Sequence, residues 1–267
     1  MKHDISEILN FDDKFHERFS EIGDKFIPTL AKSKYPITFK TLIGLMGTAN
    51  SVKLGIYDLA EESDTHLYII KILHRTLIEH YLKFYYILFR LHNDKTDDVG
   101  IEYRKYSGIS EIMAFIDASA VSMSIVGQSK DKQIIKMLKA LHPEYNVSKK
   151  ELNEITCKWK YRSIIKYIKN NMGMIKNEKS YLLKLIPQYS ELSSFIHGGT
   201  FAEEYYHDVF SNDKLKEVVY NEVLEACLMA ASMKVHLMFA ITMIDNKYSK
   251  DMDALSKIMA DFFEKNT

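Results

Sequence analysis

The sequence predicts an all-α protein, and three observations carry that prediction. Only four prolines and ten glycines punctuate 267 residues, too few for a chain that turns back roughly every 8–12 residues as an all-β protein does. Apolar residues recur at helical spacing over long windows, and no convincing strand, repeat or low-complexity tract interrupts them. The longest window, Leu67 to Leu91 (LYIIKILHRTLIEHYLKFYYILFRL), has neither glycine nor proline and is apolar on nearly every face, the pattern of a helix packed by neighbours on several sides. The expected architecture is a multi-helix bundle of about seven to nine helices. It is expected as a single domain over residues 1–267, with an N-terminal helix (1–36), a helical core (37–247) and an amphipathic tail (248–267).

In chain order, Ile8, Phe11, Phe15, Phe19, Ile22 and Phe26 fall on one stripe of a helix over residues 4–32. Pro28 and Tyr35-Pro36 are expected to punctuate its end. A second helix, 37–62, carries Gly44, Gly47 and Gly55; glycine lowers helix propensity, so close approach of a neighbouring helix is the expected reason for it. Ser63-Asp64-Thr65 supplies N-cap chemistry to the central helix. After a charged turn at 93–98, a fourth helix is expected over 100–125, then a break at Gly127-Gln128-Ser129 and a short amphipathic piece, 132–141, ended by His142-Pro143. Ser148 and Glu151 form a capping box for a helix from Lys149 to Asn170. Residues 172–177 read as a loop, and Glu178 opens a helix that passes Pro187 and ends at His197-Gly198-Gly199, where glycine supplies a left-handed cap. A long helix over 213–247 and an amphipathic tail over 251–265 complete the chain.

Composition bounds the function. Basic and acidic residues balance at 36 each, which gives no global attraction to nucleic acid or membrane. The two cysteines, Cys157 and Cys227, lack CxxC spacing, which predicts a reducing cytoplasm with neither a disulfide framework nor a zinc site. The acidic N-terminus lacks the form of a secretion signal. The most apolar stretch, Ala226 to Ile244, places Lys234 and His236 at its centre, where a bilayer tolerates them poorly, so a buried core helix is expected and no membrane contact. The aromatic run Tyr81, Phe84, Tyr85, Phe89 and the thirteen methionines read as core.

Charge is nonetheless uneven. Residues 130–184 hold 14 Lys/Arg against 5 Asp/Glu, or +9, whereas residues 185–267 hold 7 against 13, or −6. The basic part contains Lys158-Trp159-Lys160-Tyr161-Arg162, basic residues interleaved with aromatics as in single-strand binders, which makes Lys158, Lys160 and Arg162 candidate RNA-binding residues. The opposing reading is a solvated helix face with Trp159 and Tyr161 tucked into the core.

The chemistry-bearing residues fall in two clusters. The central helix carries His74, Arg75, Glu79 and His80 in its middle, where ionised groups need partners. Arg75 and Glu79, four apart, share a face, whereas Arg75 and His80 are separated by roughly 140° around the helix axis. In the second cluster Tyr189, Ser193 and His197 recur every four residues along one helix face, a stripe that could meet Arg75 and Glu79 across the bundle. Taken as architecture, the two clusters form a self-satisfied network between central helices. Taken as a site, guanidinium and imidazole suffice for metal-free cleavage of an RNA phosphodiester: the 2′-hydroxyl attacks, histidine moves the proton and arginine stabilises the phosphorane. The catalytic candidates are Arg75, Glu79, His80 and His197, with Tyr189 and Ser193 as binding residues. Glu204-x-x-His207 has the spacing of di-iron bundles but no second copy, so neither a metal nor another cofactor is expected. Nothing resembles a P-loop, a dinucleotide fingerprint or a nucleophile elbow.

Arg75-Thr76-Leu77-Ile78-Glu79-His80 resembles the Arg-x4–6-His motif of the higher-eukaryote and prokaryote nucleotide-binding (HEPN) superfamily. The pair of Arg75-Thr76-Leu77-Ile78-Glu79 with the later Tyr189-x-x-Leu192-Ser193-x-x-x-His197-Gly198 is similar to a little-characterised bacterial all-α family, whose signature is Arg75, Glu79 and His197. The resemblance spans residues 40–245 in layout and about a dozen positions in identity. It implies an all-α, dimeric, metal-independent ribonuclease or RNA-binding protein of bacterial antiviral defence, toxin–antitoxin or stress systems, with RNA, a nucleotide or a partner protein as ligand. Two other classes remain open: a helical scaffold or partner-binding subunit, and a nucleotide-binding sensor.

Overall fold

A computed structural model describes residues 4–125, 149–171 and 179–266. The expected helices at 132–141, the breaks at 127–129 and 142–143, Ser148 of the capping box, the loop 172–177 and Glu178 lie outside these residues. The protein is all-α: among the described residues there are ten α-helices and no strand. They are α1 (Ile5–Ala31), α2 (Pro36–Glu62), α3 (Leu67–Asp94), α4 (Asp98–Ile125), α5 (Lys149–Trp159), α6 (Tyr161–Asn171), α7 (Lys179–His197), α8 (Thr200–Ser211), α9 (Leu215–Thr242) and α10 (Ser249–Asn266). Single 3₁₀ turns at Asp64–His66 and Asn246–Tyr248 lead into α3 and α10.

The centre is α3, which packs against α2, α9, α7 and α6, while α1 and α10 close over α9 from the other side. Tyr81, Phe84, Tyr85 and Phe89 are buried, and the whole α1 stripe from Ile8 to Phe26 joins the same apolar cluster. α9 is long and apolar enough to cross a membrane, yet 83% of its most apolar window is buried inside the bundle.

Several boundaries differ from expectation for identifiable reasons. Pro28 does not end α1, which continues to Ala31. The Tyr248 hydroxyl donates to the Lys25 carbonyl at 2.8 Å, adding an outside donor to the turn that proline disturbs. α2 begins at Pro36, and its next two backbone N–H groups donate to the Asp97 carboxylate at 3.0 and 2.7 Å. That remote cap draws the start of α4 onto α2, where a side chain on Gly100 would come within 2.4 Å of the Thr38 backbone. Of the α2 glycines, only Gly55 meets another helix, with Leu73 Cδ1 3.4 Å from where its Cβ would stand. Gly44 and Gly47 are exposed and face open space, so helix approach is not their reason.

The single helix expected over 149–170 is two, broken at Lys160. Trp159 is buried against Tyr86, Tyr103 and Tyr106, and the Lys160 carbonyl then accepts from Ser163 and Ile164 to start α6. At the end of α7, Gly198 takes the left-handed conformation (φ +61°) and the Gly199 N–H closes on the Ser194 carbonyl at 2.9 Å, a helix-ending pattern that costs glycine no side-chain clash.

Burying α9 also buries charge. Lys53 of α2 pairs with Asp12 of α1, and Lys234 of α9 lies beside them without a hydrogen-bond partner, its Nζ 5.7 Å from the Phe15 ring. Burial and the neighbouring Lys53 lower Lys234 to about 8. Burial and Asp12 push the Cys227 thiol up to about 12.

Candidate functional site

The polar residues of α3 fan out in three directions, because successive helical positions are turned by about 100°. His74 turns to α9. It is fully buried and hydrogen-bonds Glu222 through Nδ1, while Lys71 donates to the other carboxylate oxygen at 2.6 Å. Burial alone would raise the Glu222 carboxyl, but His74 and Lys71 together bring it down to about 2. His74 Nε2 faces Glu225 at 3.6 Å without a hydrogen bond, and Glu225 also accepts from Gln188 of α7 at 2.7 Å and from Lys184. This cluster joins three helices in the interior and has the character of architecture.

Arg75 and Glu79 turn to α7. Arg75 donates through Nε to the Ser193 hydroxyl at 3.2 Å and through Nη2 to the Tyr189 hydroxyl at 2.8 Å. Its guanidinium carbon lies 4.6 Å from the centre of the Tyr189 ring, which stacks on Tyr161 of α6 at 4.0 Å and 12°. The Ser193 hydroxyl donates to the Tyr189 carbonyl at 3.0 Å, which leaves its oxygen to accept from Arg75. The Glu79 carboxylate is drawn toward Lys83 at 2.7 Å and sits 3.5 Å from Arg75 Nη1. Burial opposes ionisation of Glu79, yet Lys83, with Arg75 behind it, outweighs burial and holds the carboxyl below its usual range. Burial and the Glu79 charge raise the Tyr189 phenol. The result is a guanidinium oriented mainly by neutral groups, with 20% of its side chain open to solvent.

His197 stands exposed at the end of α7, one helical turn beyond Ser193 on the same stripe. Among the described residues it makes no hydrogen bond and no contact with Arg75. His80 turns the opposite way, toward α2 and α4, where it lines a cleft with Lys40, Thr41, Gly44, Leu45, Thr48, Tyr103 and Arg104. One chain therefore brings together Arg75, Glu79, Tyr189 and Ser193, places His197 a turn away, and turns His80 to another face, where of these groups only the neighbouring Glu79 acts on it.

In the basic segment, Lys158 pairs with Glu102 at 2.8 Å, Lys160 occupies the bend between α5 and α6, and Arg162 is exposed. Trp159 is buried and Tyr161 is committed to Tyr189, so neither ring is a platform for a stacked base. Glu204 and His207 are exposed, and the described residues contain no group of three His, Cys, Asp or Glu side chains able to hold a metal. His207 instead borders an open apolar groove of about 420 Å³ formed by Tyr68, Ala202, Glu203, Tyr206 and Phe210.

Three features escape sequence reading. Glu222 is an acid inside an apolar helical window, a signal that could have marked it as the partner of His74. The Tyr161–Tyr189 stack has no sequence signature, nor does the Lys40–His80–Arg104 cleft, which draws on three helices. Compared with protein-family models, curated proteins and solved structures, the chain matches none.

Proposed function

We propose that the chain binds RNA through a backbone phosphate at the α3–α7 ridge and cleaves it there without a metal, acting as a homodimer of HEPN-like type in bacterial defence or stress response. The observation that carries this reading is the state of Arg75: a partly exposed guanidinium, oriented by the Tyr189 and Ser193 hydroxyls, whose nearest carboxylate is held by Lys83. A planar fork that keeps its charge is suited to a phosphate oxygen pair. The resemblance of Arg75-Thr76-Leu77-Ile78-Glu79 and of Tyr189 through His197-Gly198 to the families named above points the same way.

In this reading the RNA 2′-hydroxyl attacks phosphorus as its proton passes to the His197 imidazole. The P–O5′ bond breaks, and the proton returns to the departing 5′-oxygen, leaving a 2′,3′-cyclic phosphate and a 5′-hydroxyl. Arg75 stabilises charge on the phosphorane. Incubation of transfer RNA and single-stranded RNA in chelator tests this. Cyclic-phosphate products with the wild type, absent with folded Arg75→Ala and His197→Ala, are expected; intact RNA throughout refutes cleavage.

A second reading is favoured by the same hydrogen bonds, since they tie α3 to α7. On that reading the network is scaffolding in a non-enzymatic partner-binding protein, and Arg75→Ala lowers the melting temperature without an RNA phenotype.

A further inference from the structure

The cleft on the far side of α3 has features that packing does not explain. Lys40 and Gly44 of α2, His80 of α3 and Arg104 of α4 line a space of about 230 Å³. None of the lining residues is acidic, and neither Lys40 nor Arg104 forms an ion pair among the described residues. Arg104 is oriented rather than neutralised: its Nε donates to the Thr41 hydroxyl at 3.3 Å, which leaves both terminal amines for a ligand. The Thr41 hydroxyl in turn donates to the Ile37 carbonyl at 2.8 Å and is thereby fixed as an acceptor. The His80 Nδ1 is buried without a hydrogen-bond partner, so Nε2 is the ring nitrogen available to the cleft that His80 lines. Burial and Lys83 lower its affinity for a proton, so near neutral pH it offers one N–H to a ligand.

Gly44 supplies the independent observation. Mid-helix glycine is unfavourable, yet a Cβ at Gly44 would meet nothing within 4 Å. No neighbouring helix needs the glycine, and a long side chain there would enter the cleft that Gly44 lines.

We infer that this cleft binds a small phosphate-bearing molecule, with Lys40 and Arg104 holding the anion and His80 donating to it. The space is smaller than typical drug-sized pockets of roughly 300–1,000 Å³, which suits a phosphate monoester on a short or sugar-sized body better than a polymer. The site is separate from the Arg75 ridge and does not depend on the ribonuclease reading.

The test is calorimetric titration of the full chain with inorganic phosphate, ribose 5-phosphate and a short single-stranded RNA, in chloride buffer at constant ionic strength. Both phosphate compounds should bind saturably at one site per chain. Gly44→Leu, which fills the cleft without a backbone clash, should abolish binding while melting at or above the wild-type temperature. Arg104→Gln should weaken binding by about tenfold. Failure of the wild type to bind either phosphate compound overturns the proposal, as does undiminished binding by Gly44→Leu and Arg104→Gln. Displacement of ribose 5-phosphate from the cleft by the RNA also overturns it, by assigning the cleft to a nucleic-acid backbone.

Discussion

Replacing Lys234 with methionine should stabilise the protein, although it deletes a charged group from the centre of the fold. Lys234 is buried on α9, has no hydrogen-bond partner, and shares its surroundings with a second ammonium, Lys53, that already neutralises Asp12. Its affinity for a proton falls from the ordinary 10.5 to about 8, chiefly through burial and then through Lys53. In the unfolded chain the group holds its proton up to the ordinary value, so the unfolded state binds more protons between those two limits and stability rises with pH across that window. Below the lower limit both states are protonated and the folded state carries the full penalty, about 3 kcal/mol. Methionine has a similar length and no charge, keeps the contact with the Phe15 ring without opening a new cavity, and leaves the Lys53–Asp12 pair in place. Urea unfolding at pH 7 should therefore show Lys234→Met more stable by about 3 kcal/mol, with a melting temperature higher by about 6–12 °C. The difference should shrink as pH rises above 8 and close near 10.5. A variant less stable than wild type at pH 7, or a difference that ignores pH, would refute this account of the cluster.

Other substitutions test other parts of the structure. Glu222→Gln breaks the carboxylate's pairing with Lys71 and His74 and should cost about 3–5 kcal/mol at pH 7 in urea titrations. Because the Glu222 carboxyl is lowered from 4.5 to about 2, its contribution is complete above the upper value and disappears as pH falls through the lower. The acid-unfolding curve of Glu222→Gln should accordingly be flatter than that of the wild type over this interval. Trp159→Ala empties the space among Tyr86, Tyr103 and Tyr106 and should cost about 3–5 kcal/mol by chemical denaturation. Gly47→Ala adds a methyl group to open space in mid-helix and should raise stability by about 1 kcal/mol, seen as a small upward shift in melting.

The sequence makes the helices far more legible than the contacts between them. Leu67–Leu91 reads as a central helix because its apolar residues leave no solvated face, and α3 is surrounded as that pattern requires. Arg75 and Glu79 share a face by helical geometry, and Tyr189, Ser193 and His197 share another. The bonds between the two stripes span 118 and 114 positions, and only tertiary packing decides which end of one stripe meets which end of the other. That packing gives Arg75 to Ser193 and Tyr189 and leaves His197 one helical turn further along α7. His80 follows Arg75 closely in sequence yet opens into another cleft, because five residues leave it about 140° away around the helix axis. The break at Lys160 is hidden for a different reason: Trp159 is drawn to aromatic partners on α3 and α4 that no local propensity records.

The central claim is that Arg75 is held at the ridge to take a phosphate. The most direct test is fluorescence anisotropy of a labelled single-stranded RNA in chelator, with wild type and Arg75→Ala compared beside their melting curves. Arg75→Ala removes the donor from both Tyr189 and Ser193, half-buried hydroxyls that can turn to water, so its stability loss should be modest, about 2 kcal/mol. The account predicts that RNA affinity nonetheless falls at least about tenfold. Unchanged RNA affinity in a variant whose melting temperature drops sharply would contradict it and make the ridge a structural joint.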